Sequence, residues 1–309
     1  MHTATRPGAG LFSGFGGFRY RTALACEAGV SRRDPSPVVR ADGRYHAWYS
    51  RSTHDPSGYQ ATIWHATSAD GVHWEERGEA LERGGRGAFD EHAVFTPTVM
   101  VAEGRYWLFY TAVPEPFDNA GGGPGGTQTR IGVASAAHPD GPWERAGPDP
   151  ILEPSTIAAR FDSHRVDDSC LVRWGREYRL YYKGRQLGLA PNQTTMGLAV
   201  AARPEGPYTR HPANPVLDSG HEVCVWPHGA GLGCIVAPCG PHGGTLQYSA
   251  DGVRFHRVRA VEPPRAPGPY RQDRWRDSSG PGIAWGLCQN TTSPWPWLQR
   301  FDANLRHLA

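Results

Sequence analysis

Residues 34–45 read Asp-Pro-Ser-Pro-Val-Val-Arg-Ala-Asp-Gly-Arg-Tyr, and this stretch decides the fold because two others repeat its plan. Residues 96–106 read Thr-Pro-Thr-Val-Met-Val-Ala-Glu-Gly-Arg-Tyr, and residues 168–178 read Asp-Ser-Cys-Leu-Val-Arg-Trp-Gly-Arg-Glu-Tyr. Each joins a polar residue to an apolar strand, a glycine turn and a second strand. The second strands end in aromatic pairs, at Trp48-Tyr49, Phe109-Tyr110 and Tyr181-Tyr182. Such self-similarity at long spacing indicates a repeat architecture, and four-stranded repeats in a ring form a β-propeller.

A second repeated element indicates the number of blades. It is a turn in which an acidic residue and a glycine come shortly before an aromatic residue. It occurs at Asp70-Gly71, Asp140-Gly141, Glu205-Gly206 and Asp251-Gly252. Asp-Gly favours tight turns between strands. We predict an all-β, five-bladed β-propeller over residues 34–309, with its fifth blade read from Asp277 onward. Residues 1–33 would form an N-terminal arm that could supply a closing strand.

Composition excludes several classes of function. The formal net charge of +2 over 309 residues favours neither a nucleic-acid nor a membrane partner. Residues 1–10 lack the apolar core of a signal peptide, so we expect a cytoplasmic protein. Its six cysteines show no zinc-like spacing and would be reduced core residues. The sequence leaves the oligomeric state open, a homodimer included.

The start of each innermost strand of a propeller faces one central funnel, and there the repeats place Asp34 and Asp168. A carboxylate facing a closed channel is costly unless it is paired or used. Asp34 precedes Pro35, which favours an extended backbone, and it could alternatively cap a turn. Paired carboxylates in one funnel are what glycosidic chemistry requires.

His221 and Glu222 open the fourth repeat at the same height. Nearby carboxylates would raise the pKa of His221 and make it a proton donor, although a lone histidine is often structural. Further candidates for binding substrate are Trp64, His92, Thr96, Lys183, Arg185 and Asp277. Lys183 and Arg185 could equally be solvated surface. The same His, Asp and Glu side chains could ligate a divalent cation near the funnel, but no consecutive metal motif supports one.

These residues also carry a resemblance. The chain resembles the five-bladed propeller glycoside hydrolases, above all family 117, which is related to families 43, 32 and 130. The matching motifs include Arg-Asp-Pro-Ser-Pro-Val at 33–38, Ala-Thr-Ile-Trp at 61–64, Val-Phe-Thr-Pro at 94–97, Tyr-Tyr-Lys-Gly-Arg at 181–185 and Gly-His-Glu-Val at 220–223. Together the matching stretches cover roughly residues 33–230 in the family's order and spacing.

The resemblance implies an inverting glycosidase that releases a terminal sugar, such as 3,6-anhydro-L-galactose or a furanose, from an oligosaccharide. It implies that Asp34 is the general base, that His221 is the general acid with Glu222 beside it, and that Asp168 tunes the site. Two other classes stay open. One is a retaining or phosphorolytic propeller enzyme, for which Lys183 and Arg185 would be the basic cluster. The other is a non-catalytic carbohydrate-binding propeller, which would not need the acidic residues to converge.

Overall fold

The computed structural model describes residue 12 and residues 14–53, 55–118, 126–222, 224–271 and 280–306. Within these residues all regular structure is β-strand, and no helix is long and apolar enough to span a membrane. Five small sheets form a ring, which confirms the predicted five-bladed propeller.

The strands follow one another blade by blade. Strand β1 (Arg19–Leu24) comes first, and blade one contains β2 (Val30–Arg33), β3 (Val39–Ala41), β4 (Arg44–Thr53), β5 (Thr62–Ser68) and β6 (Glu75–Leu81). Blade two contains β7 (Ala93–Ala102), β8 (Arg105–Val113), β9 (Arg130–Ala136) and β10 (Glu144–Arg145). Blade three contains β11 (Arg165–Trp174), β12 (Glu177–Arg185), β13 (Thr195–Ala201) and β14 (Thr209–Arg210). Blade four contains β15 (Cys224–Gly229), β16 (Gly231–Val236), β17 (Thr245–Ser249) and β18 (His256–Ala260).

Blade five differs from the sequence-based expectation. Its strands are β19 (Arg265–Pro269), β20 (Gly280–Asn290) and β21 (Trp297–Arg306), and β1 completes it by pairing antiparallel with β21. The innermost strand is therefore β19, whose Arg-Ala-Pro-Gly-Pro sequence lacks the alternation that identifies a strand. Asp277, which was predicted to open this blade, lies outside the described residues.

The two strands in the described part of the predicted N-terminal arm belong to the ring. β1 joins the last blade to the start of the chain, as a closing strand does, and β2 pairs with β4 inside blade one. Because closure joins both ends of the chain in one sheet, the ring leaves fewer free strand edges.

At least one apolar cluster lies between each pair of neighbouring blades. Trp48 packs with Leu108 between blades one and two, and Phe109 packs with Tyr182 between blades two and three. The other three clusters contain Tyr181 and Val225, Trp226 and Phe301, and Tyr49 and Leu298. The aromatic pairs of the repeats thus fill the spaces between blades. The residue that follows each pair in the sequence faces the propeller axis.

Candidate active site

Five residues with left-handed backbone surround the propeller axis, one from each blade. They are Asp34, Thr96, Asp168, Glu222 and Ala266, with φ between 45° and 49°. Residues other than glycine rarely adopt this conformation, and each such residue costs on the order of 1–3 kcal/mol. We call these five residues the axial ring. The repeats predicted Asp34, Thr96 and Asp168 in this position, and backbone geometry selects Glu222 rather than His221 as their equivalent in blade four.

In three of the five blades the conformation arises at a bulge inside the innermost strand. The pairing register shifts in three of these strands. The shift lies between Phe95 and Thr98 in β7, between Asp167 and Cys170 in β11, and between Arg265 and Gly268 in β19. Bulges re-aim side chains and are frequent beside active sites. The sequence-based expectation of an extended backbone at Asp34 is wrong, because its φ is 49°. Asp34 lies between β2 and β3, where the innermost strand of blade one is interrupted.

Hydrogen bonds link the ring from blade to blade. The amide of each ring residue donates to a side-chain oxygen of the preceding blade. Thr96 N lies 2.8 Å from Ser50 Oγ, Asp168 N lies 3.3 Å from Thr111 Oγ1, and Ala266 N lies 2.7 Å from Glu222 Oε2. Two further hydrogen bonds complete the ring. Asp34 N lies 3.3 Å from Gln289 Oε1, and Glu222 N lies 3.4 Å from Asp168 Oδ2. The functional side chains are therefore held by the same contacts that join the blades.

Asp168 is held as an anion by a buried lysine. Lys183 Nζ lies 2.6 Å from Asp168 Oδ2 and 3.1 Å from Asp167 Oδ1. Burial alone would raise the pKa of Asp168, but the Lys183 ammonium and its hydrogen bond lower it overall. Burial similarly opposes the charge of Lys183, and the two aspartates raise its pKa, so it stays protonated.

The negative charge of Asp34 is less well balanced by neighbouring cations than that of Asp168. Burial, followed by the charge of Asp168, raises the pKa of Asp34, while Arg33 acts in the opposite direction. Ser50 Oγ donates a hydrogen bond of 3.2 Å to Asp34 Oδ2. Asp34 is thus a carboxylate of increased basicity with a fixed orientation.

Glu222 keeps its proton close to neutral pH. Burial raises its pKa from an ordinary value of 4.5 to about 7, and the charges of Asp34 and Asp168 add to the effect. Its Oε1 accepts a hydrogen bond of 3.0 Å from Gln289 Nε2, and its Oε2 accepts that of Ala266 N. A carboxyl group that is neutral at pH 6 beside an ionised Asp168 is arranged as a proton donor.

His221 does not behave as the sequence suggested. Its pKa falls to about 4 rather than rising, chiefly because the Lys183 ammonium is near and then because of burial. The ring is 40% exposed, and Nε2 lies 3.9 Å from Glu222 Oε1. His221 is therefore a neutral imidazole beside the proton donor. Lys183, from the neighbouring blade, was absent from the sequence-based reasoning about this pKa.

Two cavities meet at the axial ring. The polar cavity has an empty volume of about 670 Å³ and contains every predicted catalytic residue, Asp34, Asp168, His221 and Glu222. The axial cavity, of about 460 Å³, continues on the other side of the ring between Pro35, Pro97 and Pro267. The carboxyl groups of Asp34, Asp168 and Glu222 thus line both cavities.

The predicted substrate-binding residues divide into two groups. Thr96, Lys183 and Arg185 line the polar cavity. Trp64 and His92 line neither described cavity at the ring. The Trp64 ring lies 3.9 Å under the Arg51 guanidinium, and the His92 carbonyl accepts a hydrogen bond from Arg83.

Several residues of the site were missed by sequence reasoning. Ser50 and Thr111 each follow the aromatic pair of their repeat, as the predicted Lys183 does in blade three, so extending the comparison of the repeats by one residue would have revealed them. Tyr59, Phe95 and Phe117 form an aromatic wall of the polar cavity, and Tyr59 and Phe117 have ring centroids 4.3 Å apart. The positions of these three residues in the sequence do not predict that their rings come together in the fold.

One set of side chains outside the ring has metal-ligand character, namely His46, His65 and Asp140. Its geometry fits a hydrogen bond instead. His46 Nδ1 lies 3.0 Å from His65 Nε2, the ring planes differ by 9° and the centroids are 5.2 Å apart. The two nitrogens therefore face each other in nearly the same plane instead of converging on a third point. None of the three side chains lines the polar cavity, so the predicted cation near the funnel stays a prediction.

Comparisons with known proteins agree with this geometry. The family model of glycosyl hydrolases family 43 matches residues 29–188. A solved family 117 glycoside hydrolase of the marine bacterium Zobellia galactanivorans is 29% identical, with a TM-score of 0.83 over 96% of this chain and 92% of that one. This match confirms the resemblance to family 117.

Two further matches are more distant. The raffinose invertase of Escherichia coli is 35% identical over 80 residues, which are 25% of this chain and 16% of that protein. The chain thus spans a small part of this curated relative. Fructan 1-exohydrolase IIa of Cichorium intybus shares the fold, with a TM-score of 0.62 and 14% identity over 91% of this chain and 57% of that one.

Proposed function

Because this chain belongs to the glycosyl hydrolases of family 43, we propose that it hydrolyses the terminal glycosidic bond of an oligosaccharide with inversion at the anomeric carbon. Asp34 is the general base and Glu222 the general acid of this mechanism. The observation that carries these assignments is the contrast at the ring, where Asp168 is held ionised while Glu222 keeps its proton to about pH 7.

In this mechanism Asp34 accepts a proton from a water molecule, whose oxygen attacks the anomeric carbon. The bond from that carbon to the leaving oxygen breaks as Glu222 protonates the oxygen. Asp168 stays ionised beside Lys183, and its negative charge favours the developing positive charge on the sugar ring. The reaction ends with Asp34 protonated and Glu222 ionised, and proton exchange with solvent restores both.

The shape of the polar cavity supports action on a chain end. Four residues of the axial ring line it, and aromatic and charged side chains border the same space. A cavity at the propeller axis suits a terminal sugar, whereas an open cleft would suit an internal bond. Because the chain resembles family 117, 3,6-anhydro-L-galactose and furanoses are the first sugars to test.

A screen of aryl glycosides and short oligosaccharides, with and without phosphate, tests this proposal. Hydrolysis independent of phosphate is expected, and proton NMR of the first-formed sugar should show the anomer opposite to that of the substrate. Asp34→Asn is the inactive control. A requirement for phosphate, or a retained anomer, would contradict the mechanism, and binding without turnover would indicate a non-catalytic propeller.

A further inference from the structure

One buried glutamine contacts both the residue proposed as the base and the residue proposed as the acid. Gln289 lies on β20 and is 4% exposed. Its Oε1 accepts hydrogen bonds of 3.3 Å from Asp34 N and from Arg33 Nε. Its Nε2 donates a hydrogen bond of 3.0 Å to Glu222 Oε1. A single side-chain amide therefore connects the base to the acid.

The register of the blades shows that Gln289 occupies a repeated position. In four blades the residue before the ring residue pairs directly with a polar residue of the neighbouring strand. The pairs are Arg33 with Ser50, Phe95 with Thr111, Asp167 with Lys183, and Arg265 with Gln289. The first three of these polar residues contact the ring residue of their own blade. The ring residue of blade five is Ala266, which has no polar side chain, and Gln289 contacts the ring residues of the two neighbouring blades instead.

The contacts define the orientation of the Gln289 amide. The two groups that face Oε1 are N–H donors, from Asp34 and Arg33, so this atom is the carbonyl oxygen. The other end of the amide is the NH2 group, which faces Glu222. An amide NH2 donates hydrogen bonds and accepts none, so it does not hold the proton of neutral Glu222. That proton stays available for transfer to the substrate.

The hydrogen bond from Gln289 becomes stronger when the acid reacts. Glu222 gives its proton to the leaving oxygen, and the electrons of the broken O–H bond remain on its carboxylate. Gln289 Nε2 and Ala266 N both donate to this carboxylate. Hydrogen bonds to an ionised acceptor are roughly twice as strong as those to a neutral one. A donor that stabilises the carboxylate more than the neutral acid lowers the barrier to proton transfer.

Titratable and charged side chains face Glu222 from several strands, namely those of Arg33, Asp34, Asp168, His221 and Cys288. Burial is the largest cause of the raised pKa of Glu222, and the charge of Asp34 is the next. The backbone N–H of Ala266 lowers this pKa, because it favours the ionised carboxyl. Gln289 is a second neutral donor to the same carboxyl. Its removal should therefore change the pKa of Glu222 without changing the net charge of the site.

We propose that Gln289 is a positioning residue of the reaction, which fixes the base and the acid relative to each other and stabilises the carboxylate that forms on Glu222. Gln289 lines neither the polar cavity nor the axial cavity, so it acts through Asp34 and Glu222 and not by contact with the sugar. The inference rests on the proposed function, because it concerns the same proton transfer. The alternative is that Gln289 only joins blade five to its two neighbours.

Gln289→Met tests this role, because methionine has a similar length and no amide. Loss of the donor should raise the pKa of Glu222, so the decline of kcat/KM at alkaline pH should move upward by about one pH unit. At pH values below the decline, kcat/KM should fall about 10–100-fold, as expected for one hydrogen bond to a charged group. Most of the loss should appear in kcat and less in KM, since Gln289 lines neither cavity.

Gln289→Glu separates the two ends of the amide. One oxygen of the new carboxyl can still accept the hydrogen bonds of Asp34 N and Arg33 Nε, and the other replaces the donor to Glu222. Two carboxyl groups that face each other do not ionise together, and Arg33 favours ionisation of the new one. The pKa of Glu222 should therefore rise further than in Gln289→Met, and activity should fall at least as far.

Gln247→Met is the matched control. Gln247 is also a fully buried glutamine, on β17, where its Nε2 donates a hydrogen bond of 2.8 Å to Thr245 Oγ1. It lines neither cavity at the ring. Its replacement removes a buried amide, as Gln289→Met does, but should leave the alkaline decline of kcat/KM at the wild-type pH.

The unaltered protein provides a test that needs neither a variant nor a substrate. In a proton–nitrogen NMR titration, a side-chain amide proton of Gln289 should shift with the same midpoint as the Glu222 carboxyl. The reason is that their hydrogen bond becomes stronger as Glu222 ionises. This measurement decides the matter even where Gln289→Met and Gln289→Glu do not fold.

Each result has a definite consequence. An alkaline decline that Gln289→Met leaves in place, or an amide proton of Gln289 that does not follow the Glu222 carboxyl, would overturn the inference and leave the proposed hydrolysis intact. A loss of stability in Gln289→Met with unchanged kinetics would assign Gln289 the purely structural role. A raised pKa of Glu222 in Gln289→Met, found by carbon-13 NMR in a protein that cleaves no glycoside, would support the contact and remove the proposed function.

Discussion

Replacing Glu222 with glutamine should make the stability of the protein less dependent on pH. The carboxyl has an ordinary pKa of 4.5 when unfolded and a pKa of about 7 when folded. Below pH 4.5 both states are protonated and the site carries no ionisation cost. Between pH 4.5 and 7 the unfolded state ionises while the folded state keeps its proton, so wild-type stability falls as pH rises. Above pH 7 the full cost, about 3 kcal/mol, is present.

Glutamine cannot ionise, so the variant avoids this cost. Its amide can accept only one of the two hydrogen bonds that Ala266 N and Gln289 Nε2 now donate, and the lost bond costs about 1 kcal/mol at every pH. Urea unfolding at pH 5 and pH 8 separates the two effects. The free energy of unfolding of Glu222→Gln, relative to wild type, should rise by about 2–3 kcal/mol between these pH values.

Glu76→Gln provides a control of opposite sign. Burial would raise the pKa of Glu76, but hydrogen bonds from Arg32 and Tyr49 lower it overall. Its contribution to stability is therefore present above the unfolded pKa of 4.5 and lost as pH falls through the folded one, so this variant should be less stable than wild type by a similar amount at pH 5 and at pH 8. A difference between Glu222→Gln and wild type that is the same at both pH values would refute the assignment of a neutral Glu222.

Three further substitutions test the site. Asp34→Asn should reduce kcat/KM about 10²–10⁴-fold with unchanged circular dichroism, and near-normal turnover would exclude Asp34 as the base. His221→Ala should keep the decline of kcat/KM above about pH 7, because Glu222 causes it, and loss of that decline would return the role of acid to His221. Lys183→Met should raise the pKa of His221 from about 4 toward its ordinary value of 6.5, measured by proton NMR of the imidazole. An unchanged value would show that Lys183 does not set it.

The repeats were sufficient to predict the propeller and most of its axis. Asp34, Thr96 and Asp168 stand at one position of an aligned repeat, so one observation located all three. Repetition could not decide between His221 and Glu222, because adjacent residues fit equally well until the left-handed backbone of Glu222 is known. The backbone preference of a residue before proline gave the wrong conformation at Asp34, whose φ is 49° at the interruption between β2 and β3.

Other features depend on contacts between distant segments. β19 was missed because its proline- and glycine-rich sequence has no strand alternation, and its identity as a strand comes from pairing with β20. The low pKa of His221 comes from Lys183, whose own position is set by Asp167 and Asp168 in blade three. Such effects of charge and burial need the folded ring, since no spacing in the sequence brings these side chains together.

A carbon-13 NMR titration of the glutamate carboxyl groups tests the central claim most directly, because it requires no substrate. Comparison of labelled wild type with Glu222→Gln assigns the signal of residue 222. We predict that this signal titrates with a pKa of about 7, above the ordinary value of 4.5. A signal that titrates at or below 4.5 would mean that Glu222 is ionised at neutral pH, and would contradict its role as the proton donor of this glycosidase.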